Sequence, residues 1–263
     1  MREFLAHVQF RGVIRERSVE PFVRLLQELR RRRRVRGVLF DVSSGGGGDI
    51  PSTDLYLAVK RLDQAKPVVA SIGSIGASGG YMAALGARRV YAYPDSEVGS
   101  IGVVFPHIAV EKLLAKLGVE VELLHQGRHK DAFQGLRPLT EEERGKVLAV
   151  AQDSYSSFVD LVARERKKPV DEVRDLATGE FWSGRTALRL GLVDALGDRE
   201  EALSELSRLT GVPVAKTRRI GPPRPFLERF FGTGASLLSG SVGSGLKESI
   251  EDSLVELVYR RLR

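Results

Sequence analysis

The sequence predicts an α/β fold, a largely parallel sheet with crossover helices, and three observations predict it. Strand-like apolar runs alternate with helix-period segments from residue 7 to residue 94. Two glycine-rich loops, "SSGGGGD" and "GASGG", each follow a strand-like run and lead into a helix-period segment, as in βα units. The composition, 42% hydrophobic and 29% charged over 263 residues, supplies the apolar side chains that a helix-covered sheet must bury. That length suits one large domain, or one domain with an appendage.

Each element has its own signal. "HVQFRGVI" reads as a strand, and residues 19–30 as a helix through Phe22, Leu25, Leu26 and Leu29. "GVLFDV" is the next strand, residues 53–62 a helix (Leu55, Ala58, Val59, Leu62), and "PVVASI" a third strand. Residues 79–85 form a short helix and "RVYAYP" a strand. "PLTEEERGKVLAVAQDSYSSFVDLVARERKK" is a long helix opened by a capping box, Thr140 and Glu143. "VDEVRDLATG" is a shorter helix closed by glycine. "SGRTALRLGLVDALG" gives a helix with Gly191 at its C-cap and a brief strand at Leu192 and Val193. A helix over 198–209 ends at Gly211.

"RRIGPPRP" marks a boundary near residue 220, so the expected domain is 1–217, followed by a linker and helical C-terminal tail over 218–263. The tail holds a Gly/Ser stretch at 232–245 and a terminal amphipathic helix (Leu246, Ile250, Leu254, Leu257, Val258). The acidic face of that helix (Glu248, Glu251, Asp252, Glu256) favours packing on protein over anionic lipid.

Composition also excludes chemistries. With no cysteine, disulfides, thiolate zinc sites and cysteine nucleophiles are ruled out. The net charge of +7 owes much to the consecutive arginines Arg30 to Arg34. They close an amphipathic helix, where cations complement its dipole. No aromatic interleaving or nucleic-acid-binding module accompanies them, so nucleic acid is not an expected partner. No signal peptide is visible at the start. The uncharged stretch 67–87 contains five glycines and three serines and reads as a buried strand–turn–helix rather than a membrane span. The expectation is a cytoplasmic chain, with peripheral membrane contact left open.

In parallel sheets ligands sit beyond the carboxyl ends of strands, where "GASGG" belongs. Residues 76–80 satisfy the G-x-S-x-G elbow pattern, with Ser78 as the candidate nucleophile. A serine hydroxyl needs a base beside it. The four histidines, His7, His107, His125 and His129, all precede the second half of the chain, which argues against a Ser-His-Asp order. Lysine is a recognised alternative base, and "HQGRHKDAFQG" places Lys130 in a short polar loop between Gly127 and Gly135. By spacing alone, Lys130 is one of many lysines.

The segments "GASGGYMAALGA", "YPDSEVGSIGVV", "LLHQGRHKDAF" and "FWSGRTALRLGLVDALG" resemble the serine peptidase family of signal peptide peptidase A, in that family's order and at about its spacing. The match runs from about Val8 to Leu209. The resemblance implies a Clp-protease/crotonase-like fold and a Ser–Lys dyad with no cofactor, in which Ser78 is the nucleophile and Lys130 the general base. It further implies that Ser100, in "VGSIGVV", hydrogen-bonds the lysine, and that the N–H groups of Gly47 and Gly79 hold the oxyanion. The family's loop usually reads Asn-Ser-Pro-Gly-Gly. Here Ser43 replaces the asparagine and Gly45 the proline, which keeps Gly46 open as an alternative donor. No Gly-Lys-Ser/Thr follows this loop, so it is not a phosphate loop. The family typically carries an N-terminal membrane anchor, which this sequence does not display.

A lysine acts as a base only when neutral, which requires desolvation or nearby positive charge. His129 helps if protonated, whereas Asp131 opposes unless it points away. The expected function is therefore a serine endopeptidase that hydrolyses unstructured, mostly apolar peptides such as signal-peptide remnants, assembled as a homo-oligomeric ring. Two alternatives use the same fold: a crotonase-like acyl-CoA enzyme, and a non-catalytic scaffold partnering a membrane protein.

Overall fold

The computed structural model describes residues 3–222, and the chain divides into two units, Met1–Gly221 and Pro222–Arg263. The expected Gly/Ser stretch and terminal amphipathic helix lie outside the described residues. The first unit begins with repeated βα steps: β1 (Phe4–Arg11), α1 (Glu16–Arg31), β2 (Val35–Ser44), α2 (Asp49–Asp63), β3 (Val68–Ala77), α3 (Gly79–Ala84) and β4 (Arg89–Ala92). It continues through β5 (Glu97–Gly99), α4 (Glu111–Lys116), α5 (Glu141–Arg166), α6 (Val170–Leu176), β6 (Phe181–Ser183), α7 (Gly184–Arg189), β7 (Ala195–Leu196), α8 (Arg199–Thr210) and β8 (Thr217–Arg219).

The strands form one sheet in the order β6-β5-β3-β2-β1-β8, with β4 also beside β3 and β7 beside β4. Among these pairings β5–β6 is antiparallel and the rest are parallel, so the expected parallel sheet is present. Along β2 the side chains alternate between two faces. Phe40 joins the larger core with Leu26, Leu29, Leu55, Val59 and Leu62 of α1 and α2. Leu39 joins a smaller core with Ala202, Leu203 and Leu206 of α8.

On the α8 face Asp41 is buried on β2. Its carboxylate accepts from Arg11 at 2.7 Å, Arg199 at 2.8 Å and Gln9 at 3.2 Å, and lies 3.1 Å from His7 Nε2. Burial pushes this carboxyl up, but the hydrogen bonds of His7 and Arg11 and the charges of Arg11 and Arg199 outweigh it, holding the pKa at about 2. The cluster fastens the start of α8 to the sheet.

β3 changes neighbour halfway. Val69 to Ile72 pair with β4, whereas Ile75 to Ala77 pair with β5. On its other side the register jumps between Val42 and Ser44, which face Ile72 and Gly76. This irregularity re-aims the end of β3, the point from which Ser78 emerges. The stretch 67–87 holds β3 and α3 and is largely buried, and among the described residues no helix is long and apolar enough to cross a membrane.

One expected strand is displaced. Leu192 and Val193 are buried but unpaired with the sheet, and the strand is Ala195–Leu196, facing Tyr91 and Ala92. The cause is the end of α7. Gly191, at φ +71°, donates to Leu188 O and Leu192 donates to Ala187 O. This paired closure uses Leu192 to terminate the helix. The strand can begin only after it.

Candidate active site

Ser78 stands between β3 and α3 with φ 49° and ψ −123°, a conformation that costs a non-glycine residue on the order of 1–3 kcal/mol. Its surroundings hold it there. The Ser78 N–H donates to Gly99 O at 2.7 Å, and its carbonyl accepts from Met82 N–H at 2.9 Å. Every residue of α3 is buried, and Tyr81 donates its hydroxyl to Leu192 O at 2.7 Å. The side chain of Ser78 remains half-exposed. The G-x-S-x-G segment is thus a sharp strand-to-helix elbow.

The loop after β2 lies directly against that elbow. A β-carbon at Gly46, whose φ is +104°, would stand 3.0 Å from Ser78 Oγ and 2.9 Å from Gly79 N. Gly47 is clamped by Ile14: the Ile14 N–H donates to Gly46 O at 2.8 Å, and the Gly48 N–H donates to Ile14 O at 2.9 Å. A β-carbon on Gly47 would fall 2.0 Å from Ile14 O. The Gly46 N–H donates to Ser44 Oγ at 3.1 Å. Among the described residues the N–H groups of Gly47 and Gly79 make no hydrogen bond.

Ser100 is tied to the same construction. It follows Gly99, whose carbonyl receives the Ser78 N–H, and it too has a positive φ, 50°. Its own N–H donates to Glu180 O at 2.6 Å, while Gly99 lies against the ring of Trp182. Ser44, Ile14, Glu180 and Trp182 went unrecognised in the sequence. Ser44 carried a local signal, a small polar residue entering a glycine run. Trp182 stood within the "FWSG" segment of the resemblance with no role attached, and Glu180 carried no signal, because their contacts with Gly99 and Ser100 join segments distant in the chain.

Lys130 is placed differently. It lies in a turn, its N–H donating to Gly127 O at 3.1 Å, and its side chain is exposed. Among the described residues that side chain makes no hydrogen bond or ion pair, with Ser78 or otherwise. Asp131 is buried and accepts from Arg137 at Oδ2, while among the described residues its Oδ1 makes no hydrogen bond. Nor does any histidine reach Ser78: His7 is held by Asp41, His107 lies against Arg137 O, His125 against Gly127 O and His129 against Lys146.

The sequence profile of peptidase family S49 matches residues 60–213, a span that includes Ser78, Ser100 and Lys130. The chain is 32% identical over 252 residues to a Synechocystis sp. protein named "Putative protease slr0021", covering 95% of this chain and 91% of that one. It is 31% identical over 198 residues to the Arabidopsis thaliana "Serine protease SPPA, chloroplastic", covering 75% of this chain but 29% of that longer protein. Among solved structures it is similar to a mutant of the 1510-N membrane-bound stomatin-specific protease, with a TM-score of 0.54 at 15% identity over 85% of this chain and 100% of that one. It is also similar to a ClpP1 mutant from Listeria monocytogenes, with a TM-score of 0.50 at 13% identity over 74% and 93% of the two chains. The structural likenesses establish a Clp-protease-like fold, and the sequence matches favour neither an acyl-CoA enzyme nor an inactive scaffold. With a profile match across more than half its length and a protease-named relative aligned nearly end to end, the chain belongs to peptidase family S49 and is a serine peptidase.

Proposed function

We propose that the chain is an endopeptidase that hydrolyses unstructured, mostly apolar peptides through a Ser78–Lys130 dyad. The observation that carries this reading is the elbow itself: Ser78 held at φ 49°, with the amides of Gly47 and Gly79 unclaimed beside it. Neutral Lys130 takes the proton from Ser78 Oγ as the oxygen bonds to the peptide carbonyl carbon. The carbonyl oxygen becomes an oxyanion and accepts hydrogen bonds from Gly47 N–H and Gly79 N–H, each worth about 10²–10³ in rate. Collapse breaks the C–N bond, and the Lys130 ammonium gives its proton to the departing amine. Lys130 then takes a proton from a water as the water oxygen bonds to the acyl carbon. Collapse breaks the C–Oγ bond, the Lys130 ammonium returning its proton to Ser78 Oγ as the acid leaves. The Ser100 hydroxyl orients the lysine.

Gly47 is a better second donor than Gly46, because the Gly46 N–H is already committed to Ser44 Oγ. The preference for apolar peptides is supported by Val13 and Ile50, 46% and 70% exposed on either side of the Ile14–Gly47 pair. An extended peptide laid along this loop edge would be held mainly through its backbone.

The reading includes a homo-oligomer. α4 has no buried residue, and Val104, Ile108, Leu113, Leu117 and Leu124 are exposed along the segment that leads to Lys130. A second copy covering this apolar row would remove it from water and order the path to Lys130.

Fluorophosphonate labelling with peptide mapping tests the nucleophile: Ser78 is labelled in the wild type, and Ser78→Ala is inert. Lys130→Arg keeps the charge but cannot surrender a proton. It is expected to fold, as judged by melting, and to lose kcat/KM as completely as Ser78→Ala. Substantial hydrolysis by a folded Lys130→Arg enzyme overturns the dyad. A stable, active monomer in sedimentation overturns the assembly.

A further inference from the structure

Arg137 grips the segment that carries Lys130. Its Nε donates to Asp131 Oδ2 at 2.8 Å, and its two terminal nitrogens donate to Glu143 Oε2 at 2.8 Å and Oε1 at 2.7 Å. Both carboxylates are shielded from water, Asp131 at 7% and Glu143 at 3% exposure. Glu143 also receives the Thr140 N–H at 2.9 Å, which anchors it in the first turn of α5. The guanidinium thus spans two acids on either side of it in the chain, a geometry that a planar fork can make and a lysine ammonium cannot. The hydrogen bonds of Arg137 hold the carboxyls of Asp131 and Glu143 below the usual carboxylate range.

The consequence falls on Lys130. A long, exposed lysine beside a free carboxylate pairs with it, and an ion pair keeps the lysine protonated. We propose that Arg137 is a positioning residue for the base: by pairing with Asp131 Oδ2 and Glu143 it competes for the carboxylate next to Lys130 in the chain and ties the Lys130 turn to the start of α5. This rests on Lys130 being the base. The other groups facing the cluster are His125, 3.8 Å from Asp131 Oδ1, His129, 3.7 Å from Glu143 Oε1, and His107, 3.0 Å from Arg137 O. Glu142, Lys146 and Arg128 lie around His129. All of these are retained in every variant compared below.

The experiment is the pH dependence of kcat and KM for the full chain as wild type, Lys130→Arg, Arg137→Gln, Arg137→Lys and Arg137→Gln/Asp131→Asn. In Arg137→Gln the freed Asp131 pairs with Lys130. The alkaline rise of kcat should then move up by about one pH unit, with about a tenfold loss at neutral pH and little change in KM. Removing the competing acid in the double variant should return the rise toward its wild-type position. Arg137→Lys, which keeps charge but not the fork, should fall between. If Arg137→Gln fails to fold, the double variant and Arg137→Lys carry the same comparison. An Arg137→Gln rise at the wild-type pH, with only its amplitude or melting temperature lowered, overturns the proposal and leaves Arg137 a stabilising residue. The base reading fails separately, through an active Lys130→Arg.

Discussion

The elbow around Ser78 and the turn around Lys130 are built by different means. At the elbow the fixing contacts are backbone hydrogen bonds and glycine-width approaches: Gly99 O to the Ser78 N–H, Ile14 to the Gly46–Gly48 stretch, and Gly46 against Ser78 itself. Around Lys130 there is no sheet pairing. Its backbone bonds stay within the turn, such as Lys130 N–H to Gly127 O, and side-chain charges, Arg137 with Asp131 and Glu143, tie it to α5, after a segment whose apolar residues are exposed. A nucleophile must sit within a fraction of an ångström of its oxyanion donors, and packed backbone supplies that stiffness. In the proposed dyad, a base at the end of a four-carbon stem tolerates a looser mount, provided its protonation is controlled.

That contrast makes the elbow intolerant of the smallest additions. Gly46→Val places a branched side chain on a φ of +104°, with its first carbon 3.0 Å from Ser78 Oγ. It should cut kcat/KM by about 10³-fold by displacing the loop proposed to hold the oxyanion, with melting showing a folded protein. Retention of more than about a tenth of the activity would mean that the loop is not part of the site.

Asp41 offers the converse, a side-chain cluster that supports the fold away from the elbow. Asp41→Asn should cost about 2 kcal/mol, the order expected of a carboxyl held at a pKa of about 2 instead of 3.8. Because the folded-state value is depressed, this stabilisation is complete above pH 3.8 and is lost as the pH falls toward about 2. Urea unfolding of both proteins across that range should show their stabilities converging at the acid end. A constant difference would mean that the charge on Asp41 is not what holds α8. In the apolar row, Leu124→Glu at a position 88% exposed should leave the protomer folded, as judged by circular dichroism. Sedimentation should show the assembly lost, and kcat/KM should fall about tenfold, or about 1.4 kcal/mol. An intact, fully active oligomer would remove Leu124 from the interface.

The same division explains what the sequence reveals. The βα order, the crossover helices and the serine elbow were legible because each depends on residues close in the chain: Leu25, Leu26 and Leu29 at helical spacing, or glycines flanking Ser78. The hydrogen-bonding difference between Gly46 and Gly47 turns on Ser44 Oγ, a neighbour in the chain, but the clamp on Gly47 was not legible, since it depends on Ile14, on a loop after a different strand. The short strands β5 and β6 were missed because three-residue runs such as Glu97–Gly99 have no periodicity, and their pairing is set by long-range contact. Lys130 emerged only through resemblance. No local pattern distinguishes a base from a solvated lysine, and its surroundings depend on the ion network and, in our reading, on a second copy.

The smallest expected effect separates the two supports of the Lys130 turn. Thr140 Oγ1 accepts the Glu143 N–H at 3.2 Å and so caps α5, while the Glu143 carboxylate is gripped independently by Arg137. Thr140→Ala deletes the cap and should cost about 1 kcal/mol of stability. The Thr140 N–H still donates to Glu143, and the Arg137 fork still spans both acids, so the charge around Lys130 is unaltered. The melting temperature should therefore fall while the pH at which kcat rises stays fixed, the opposite signature from Arg137→Gln. If the rise moves in Thr140→Ala as far as it does in Arg137→Gln, then the helix cap governs the base. The ion network would in that case be only its scaffold.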